Sequence, residues 1–295
     1  MLIGKNKKNV LNSDLVVDSW SVDYVDNLNT GDYDLIETHD GQVTMEKTDK
    51  HKYLGFVISN TGDNMANIKS MKDKSIGIIR QILNRLESLN LRRYYFECAM
   101  VFMNSMLRGS ILYAAETYHN LKENELRELE RIEENFMRKL LKTSKGCPIV
   151  QLYLTLGQIP ARFAIMRIRL SFLHYILNED EESMILKILH LQLKNPTRGD
   201  WVSICVDNLK QLDISESFQN IKIMKKNKFD KLLKVRIDII ALQYLTSRQG
   251  KKGGEMSYTE IEISEYLLPH TELNILEKRN MFAVKNRMST IRENF

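Results

Sequence analysis

The sequence predicts a mainly α-helical chain with a small N-terminal β portion, an α+β arrangement, and three observations carry that expectation. Its 295 residues contain only four prolines and thirteen glycines, few breaks for a chain rich in leucine, isoleucine, lysine and glutamate. The hydrophobic period is near two over the first sixty residues and changes to about 3.6 from Asn64 onward. With 43% hydrophobic and 27% charged residues the chain is a folded one, long enough for one large or two ordinary domains.

In the strand-rich part, Val16-Val17 and Trp20 to Val25 are short β-branched or aromatic runs. Tyr33 to Thr38 and Gln42 to Lys47 flank Asp40-Gly41, a pair suited to a two-residue hairpin turn. His51 to Ser59 is predicted as one apolar strand buried on both faces, closed by Asn60-Thr61-Gly62-Asp63.

A first helix then places Ile68, Met71, Ser75, Ile78, Ile82, Leu86 and Leu89 on one face. Leu91 to Ala115 is apolar nearly all round, which predicts a helix buried on most sides. Lys122 to Lys142 aligns Leu126, Leu129, Ile132, Phe136 and Leu140, with acids early and bases late, as the helix dipole favours. After Ser144 to Pro148, a short helix stops at Gly157 and Pro160 opens a longer one through Asn178. Further helices are predicted over Glu181 to Lys194, Trp201 to Leu212, Ile223 to Arg248 and Thr271 to Ile291, with a short segment at Tyr258 to Leu268. The expected division is 1–62 strand-rich, 63–146 a helical bundle, and 147–295 an all-helical module.

Cys98, Cys147 and Cys205 stand far apart with no C-x-x-C pair, so neither structural zinc nor a disulfide framework is signalled, and a reducing compartment fits. The N-terminus lacks the apolar run of a signal peptide, and Ile159 to Leu173 is interrupted by Arg162, Arg167 and Arg169, so no membrane span is expected. No adjacent aspartates, H-E-x-x-H pair, P-loop, G-x-G-x-x-G or G-x-S-x-G occurs, so no catalytic residue, metal ligand or cofactor is assigned. Asp180-Glu181-Glu182 reads as helix capping.

The charge is uneven. The net value is +5, yet residues 1–50 hold five Lys/Arg against ten Asp/Glu, leaving +10 for the remainder. A positive body predicts an anionic partner, with nucleic acid foremost. Candidate contacts are Lys69, Lys72 and Arg80 on the first helix and Arg92 and Arg93 at the start of the second. Arg162, Arg167 and Arg169 follow, then Lys225, Lys226, Lys228, Lys231 and Lys234 on the long helix. Such residues at helical spacing track phosphates without reading bases. A rival reading is a helical protein-interaction scaffold using a methionine-rich surface at Met100 to Met106.

Lys52-Tyr53-Leu54-Gly55-Phe56-Val57-Ile58-Ser59, followed by Gly62 and Asn67-Ile68, resembles the palm-to-thumb segment of non-LTR retrotransposon reverse transcriptases, with Tyr53, Leu54 and Gly55 as the motif. Leu112 to Tyr118, Leu129 to Glu133 with Phe136 to Leu141, and Leu152 to Pro160 continue the likeness in order. Arg169 to Leu177 and Gly199-Asp200-Trp201 extend it, so that it covers about residues 50–295.

The resemblance implies the end of a palm, a helical thumb and a downstream linker of an RNA-directed DNA polymerase. The family's Asp-Asp catalytic box would lie upstream of the stretch Met1 to Gly4, so the expectation is a non-catalytic portion. The implied partners are an RNA/DNA template-primer duplex and the palm and fingers of the parent polymerase, in the cytoplasm or nucleus. A chain with a mis-assigned start, part of a longer active enzyme, is the alternative.

Overall fold

A computed structural model describes residues 23–24, 33–38, 41–46, 49–53, 56–59, 64–118, 121–197, 199–248 and 261–291. The chain is mainly helical with a small antiparallel β portion near its N-terminus, as the change of period predicts. It divides into two compact units, residues 1–70 and 71–295. Val16-Val17 and most of Trp20 to Val25 lie outside the described residues.

In the first unit, β1 (Asp23–Tyr24), β2 (Tyr33–Thr38) and β3 (Gly41–Glu46) form an antiparallel sheet in that order. Thr38 pairs with Gly41, so Gly41 belongs to the strand rather than to the turn predicted at Asp40-Gly41. The single strand expected over His51 to Ser59 is instead a hairpin of β4 (Lys50–Tyr53) and β5 (Phe56–Ser59). Tyr53 pairs with Phe56. Ile58 is half-exposed, so β5 is not buried on both faces. Asn67 ties the hairpin to the helix that follows, its side-chain oxygen accepting the Val57 N–H at 3.1 Å.

Helix α1 (Met65–Ser88) buries Ile68, Met71, Ser75, Ile79, Ile82 and Leu86. Ile79 rather than Ile78 completes this stripe, and Leu89 is exposed beyond the helix end. The apolar stretch that follows is not one regular helix. It runs as a 3-10 turn at Arg92–Tyr94, α2 (Tyr95–Phe102), a π turn at Met103–Leu107 and α3 (Arg108–Ile111), and then reverses at Ala114 with φ 57°. Met100, Met103 and Leu107 are buried in this core, while Val101 is exposed and Met106 half-buried.

Helix α4 (Glu123–Leu141) is entered through a cap in which Glu125 accepts the Lys122 N–H at 2.7 Å. It buries the predicted Leu129, Ile132, Phe136 and Leu140, together with a second stripe of Glu130, Glu133, Met137 and Leu141. Short α5 (Ile149–Thr155) ends at Gly157, whose φ of +60° is the left-handed conformation glycine adopts freely, and Pro160 opens α6 (Ala161–Leu177).

A large apolar core surrounds α6. Phe163, Leu170 and Leu173 pack with Leu186 and Leu189 of α7 (Met184–Lys194) and with Cys205 and Leu209 of α8 (Trp201–Gln211). Ile221 of α9 (Phe218–Ile223) and Phe229, Leu233 and Ile237 of α10 (Lys226–Ser247) complete it. The helix predicted from Ile223 starts instead at Lys226, because Met224 before it is extended, its carbonyl 2.8 Å from His174 Nε2, and α9 is an additional helix. Asp180 shapes the turn before α7 by accepting the Glu182 N–H at 2.9 Å, while the residue at the helix start is Ser183. At α11 (Ile275–Ile291), Asn274 and Glu277 exchange backbone N–H bonds at 3.0 and 2.7 Å.

Gly146 is not a division in the second unit, because charged and polar groups bridge the elements on either side of it. Trp201 Nε1 donates to the Glu116 carbonyl at 2.6 Å and Arg169 to the Tyr118 carbonyl at 2.7 Å. Arg108 reaches the Ile159 carbonyl at 2.5 Å.

The core also keeps the three thiols apart, and none of them is in a disulfide. Burial pushes the Cys205 thiol up to about 12 against the opposing pull of Arg169. At pH 8 its reactive thiolate is then roughly one molecule in ten thousand. Alkylation of the native protein followed by mass spectrometry is expected to modify half-buried Cys98 first and Cys205 only on unfolding. Equal labelling of Cys98 and Cys205 would contradict the packing of α8 against α6.

Candidate nucleic-acid interface

The basic residues sort by what they touch. Lys69 is exposed in the first unit. Arg80 and Arg93, in the second unit, are exposed and have no ion-pair partner among the described residues. Lys72 is half-exposed but engaged, its ammonium 2.7 Å from Glu128, which Arg131 also contacts. Those bonds, chiefly the one from Lys72, hold the Glu128 carboxyl below its usual range. The Arg92 and Tyr53 side chains, and Leu54 and Gly55 altogether, lie outside the described residues.

Two of the three arginines expected on the surface of α6 are internal. Arg169 is buried and spends its guanidinium on the Tyr118 carbonyl. Arg162 forks onto Glu123 at 2.8 and 3.0 Å and onto Glu130 at 2.5 Å, with its plane 4.5 Å over the Tyr244 ring. Burial works against its charge, but the bonds to Glu123 and Glu130 outweigh it and hold the group above its ordinary value. Only Arg167 of the three is exposed.

This belongs to a buried charge network that periodicity does not reveal. Glu133, fully buried, accepts from Arg108 Nε at 2.7 Å and from the Tyr153 hydroxyl at 3.0 Å. Burial pushes its carboxyl up, with Arg108 opposing. Glu130 accepts from Arg127 at 2.7 Å as well as from Arg162. A cavity of about 300 Å³ opens beside these groups, but its arginines face acids, Arg127 to Glu130 and Arg248 to Glu123 at 3.5 Å, so it is no open anion cradle. The sequence signal, in hindsight, is the pairing of Glu130 and Glu133 with Met137 and Leu141 on a second stripe beside the apolar one.

The densest free positive charge lies at α9 and the start of α10. Lys222, Lys225, Lys226, Lys228, Lys231 and Lys234 are all exposed, Lys234 alone of the six facing an acid among the described residues, Asp238 at 3.9 Å, and the stretch 221–234 contains one acid, Asp230, which accepts from Ser171 at 3.3 Å. Lys222, absent from the sequence-based candidates, joins because α9 ends beside it. Lys225 occupies the N-cap with no side-chain cap, and the first turn of α10 carries no acid. Cations there oppose the helix dipole and the unsatisfied N–H groups of the first turn. The arrangement is unfavourable for the helix by itself and favourable for holding an anion.

Comparison with protein-family models, curated proteins and solved structures finds no match to this chain. Among the described residues, no three or more His, Cys, Asp and Glu side chains are grouped to hold a metal ion, and no helix is long and apolar enough to cross a membrane.

Proposed function

We propose that this chain binds the sugar-phosphate backbone of an RNA/DNA template-primer duplex, as the non-catalytic thumb-like and linker portion of a retrotransposon-type RNA-directed DNA polymerase. The observation that supports this reading is the six-lysine cluster of residues 222–234, set against the dipole of α10 and almost without acids. Lysines on a helix surface make point-charge contacts with phosphates and carry no base readout, which is the kind of recognition a duplex gripped by shape requires. The ordered resemblance over residues 50–295 supplies the polymerase context.

Arg80 and Arg93 are further exposed cations of the second unit, and Lys69 is one of the first. Lys72 is excluded from the phosphate contacts because its charge is already met by Glu128.

The test is fluorescence anisotropy with a blunt RNA/DNA hybrid across a salt series. Each phosphate neutralised contributes a slope near −0.9 in log K against log salt for B-form duplex, and a similar dependence is expected here. Lys225→Glu, Lys226→Glu, Lys228→Glu and Lys231→Glu together should weaken binding by about a hundredfold or more at low salt and flatten the slope by roughly three to four units. Unchanged affinity and slope would overturn the proposal. Primer extension by the purified chain with magnesium and nucleotides would overturn its non-catalytic part.

A further inference from the structure

We propose that α7 is the seam of a symmetric dimer, pairing antiparallel with α7 of a second copy of this chain. On its inner side Leu186 and Leu189 sit in the core. On its outer side Met184, Ile188 and Leu191 are 59, 47 and 56% exposed. Their spacing of four and then three aligns them along one line of the helix, the narrow stripe by which one helix packs on another. An α7 anchored by its inner face therefore presents an apolar outer seam.

The charges around this seam select the occupant. Asp180, Glu181 and Glu182 precede the helix and are exposed; α7 itself holds no acid and ends at exposed Lys194. A two-fold axis passing near Ile188 opposes positions equally far before and after it, so that Glu182 of one copy lies opposite Lys194 of the other, with Glu181 adjoining, at each end. A parallel pairing would stack acid on acid. Lys187, close to the axis, is compensated within its own copy by Glu182 at 2.7 Å, which reduces the like-charge contact of an isologous seam and leaves the second oxygen of Glu182, with Glu181, for Lys194 of the other copy. The acids repel a nucleic acid from this face, so the seam and the lysine cluster serve different partners.

One eleven-residue helix is about 16 Å long and provides less than the roughly 800 Å² per partner of a standard stable interface. The association is therefore expected in the micromolar range, with Kd about 1–100 µM.

Sedimentation equilibrium of the full chain over a wide concentration range tests it. The wild type is expected to shift from monomer to dimer. Ile188→Asp should weaken the association at least tenfold, with the helical circular dichroism and melting temperature unchanged because the side chain lies outside the core. Lys194→Glu should also weaken it, and the double change Glu181→Lys with Lys194→Glu should restore it. A chain that stays monomeric at every concentration overturns the proposal. So does a dimer indifferent to Ile188→Asp, or a charge swap that fails to restore association.

Discussion

Arg108→Ala is expected to destabilise the fold by about 3–5 kcal/mol, the cost of leaving a buried carboxylate without its cation. Arg108 is nearly enclosed, with 12% of its side chain exposed, and Glu133 has none. The guanidinium serves four acceptors at once: Glu133 at 2.7 Å, Asn104 at 3.0 Å, Gln158 at 3.1 Å and the Ile159 carbonyl at 2.5 Å. Its removal strips donors from α4 and from the turn between α5 and α6 together. Glu133→Gln keeps the shape and the Tyr153 bond and should cost less. Replacing the pair with apolar residues, Arg108→Met with Glu133→Leu, should recover much of the loss. Urea unfolding of the four proteins distinguishes these outcomes, and an Arg108→Ala protein within about 1 kcal/mol of wild type would show that the network does not hold these elements.

Gly157→Ala carries the second large effect. With φ at +60°, any Cβ is strained, and here it would also stand 2.4 Å from the Ile263 nitrogen and 2.6 Å from the Glu262 carbonyl carbon. Backbone cannot step aside as a side-chain tip can. The segment it would displace is bonded to α5 and the turn after it: Leu156 bridges Ile263, and the Ser264 N–H donates to the Thr155 carbonyl at 2.9 Å. A loss of about 2–4 kcal/mol is expected, combining left-handed backbone strain with the clash. Hydrogen exchange should show faster exchange at Ser264 before other amides change. Gly77→Ala is the control, since Gly77 is exposed within α1 with nothing inside 4 Å of a new Cβ, and it should stabilise by up to about 1 kcal/mol. Equal melting temperatures for Gly157→Ala and wild type would mean that the segment at Ile263 is not held there.

Much of the helical architecture is legible from local signals. Gly157 and Pro160 mark one helix end and the next helix start, and the inward residues Leu129, Ile132, Phe136 and Leu140 follow from period alone. Hairpins were harder to read, because a run such as Tyr53 to Ile58 has the same composition whether it is one buried strand or two short strands with a glycine between them. Helix α9 is not legible either, since it is only six residues long and ends at an extended Met224 beside His174, an interaction fifty residues away in the chain.

The candidate interface divides in the same way. That the second unit is lysine-rich and that its long helix begins with cations are properties of residue type and order. Which cations remain free is decided by tertiary structure: Arg162 and Arg169 turn inward to acids and carbonyls, Lys72 meets Glu128, Lys234 faces Asp238, and Lys222 to Lys231 stay in solvent. A charge is available to a ligand only when no nearer opposite charge holds it, and that proximity arises from helices that pack side by side while lying far apart in sequence.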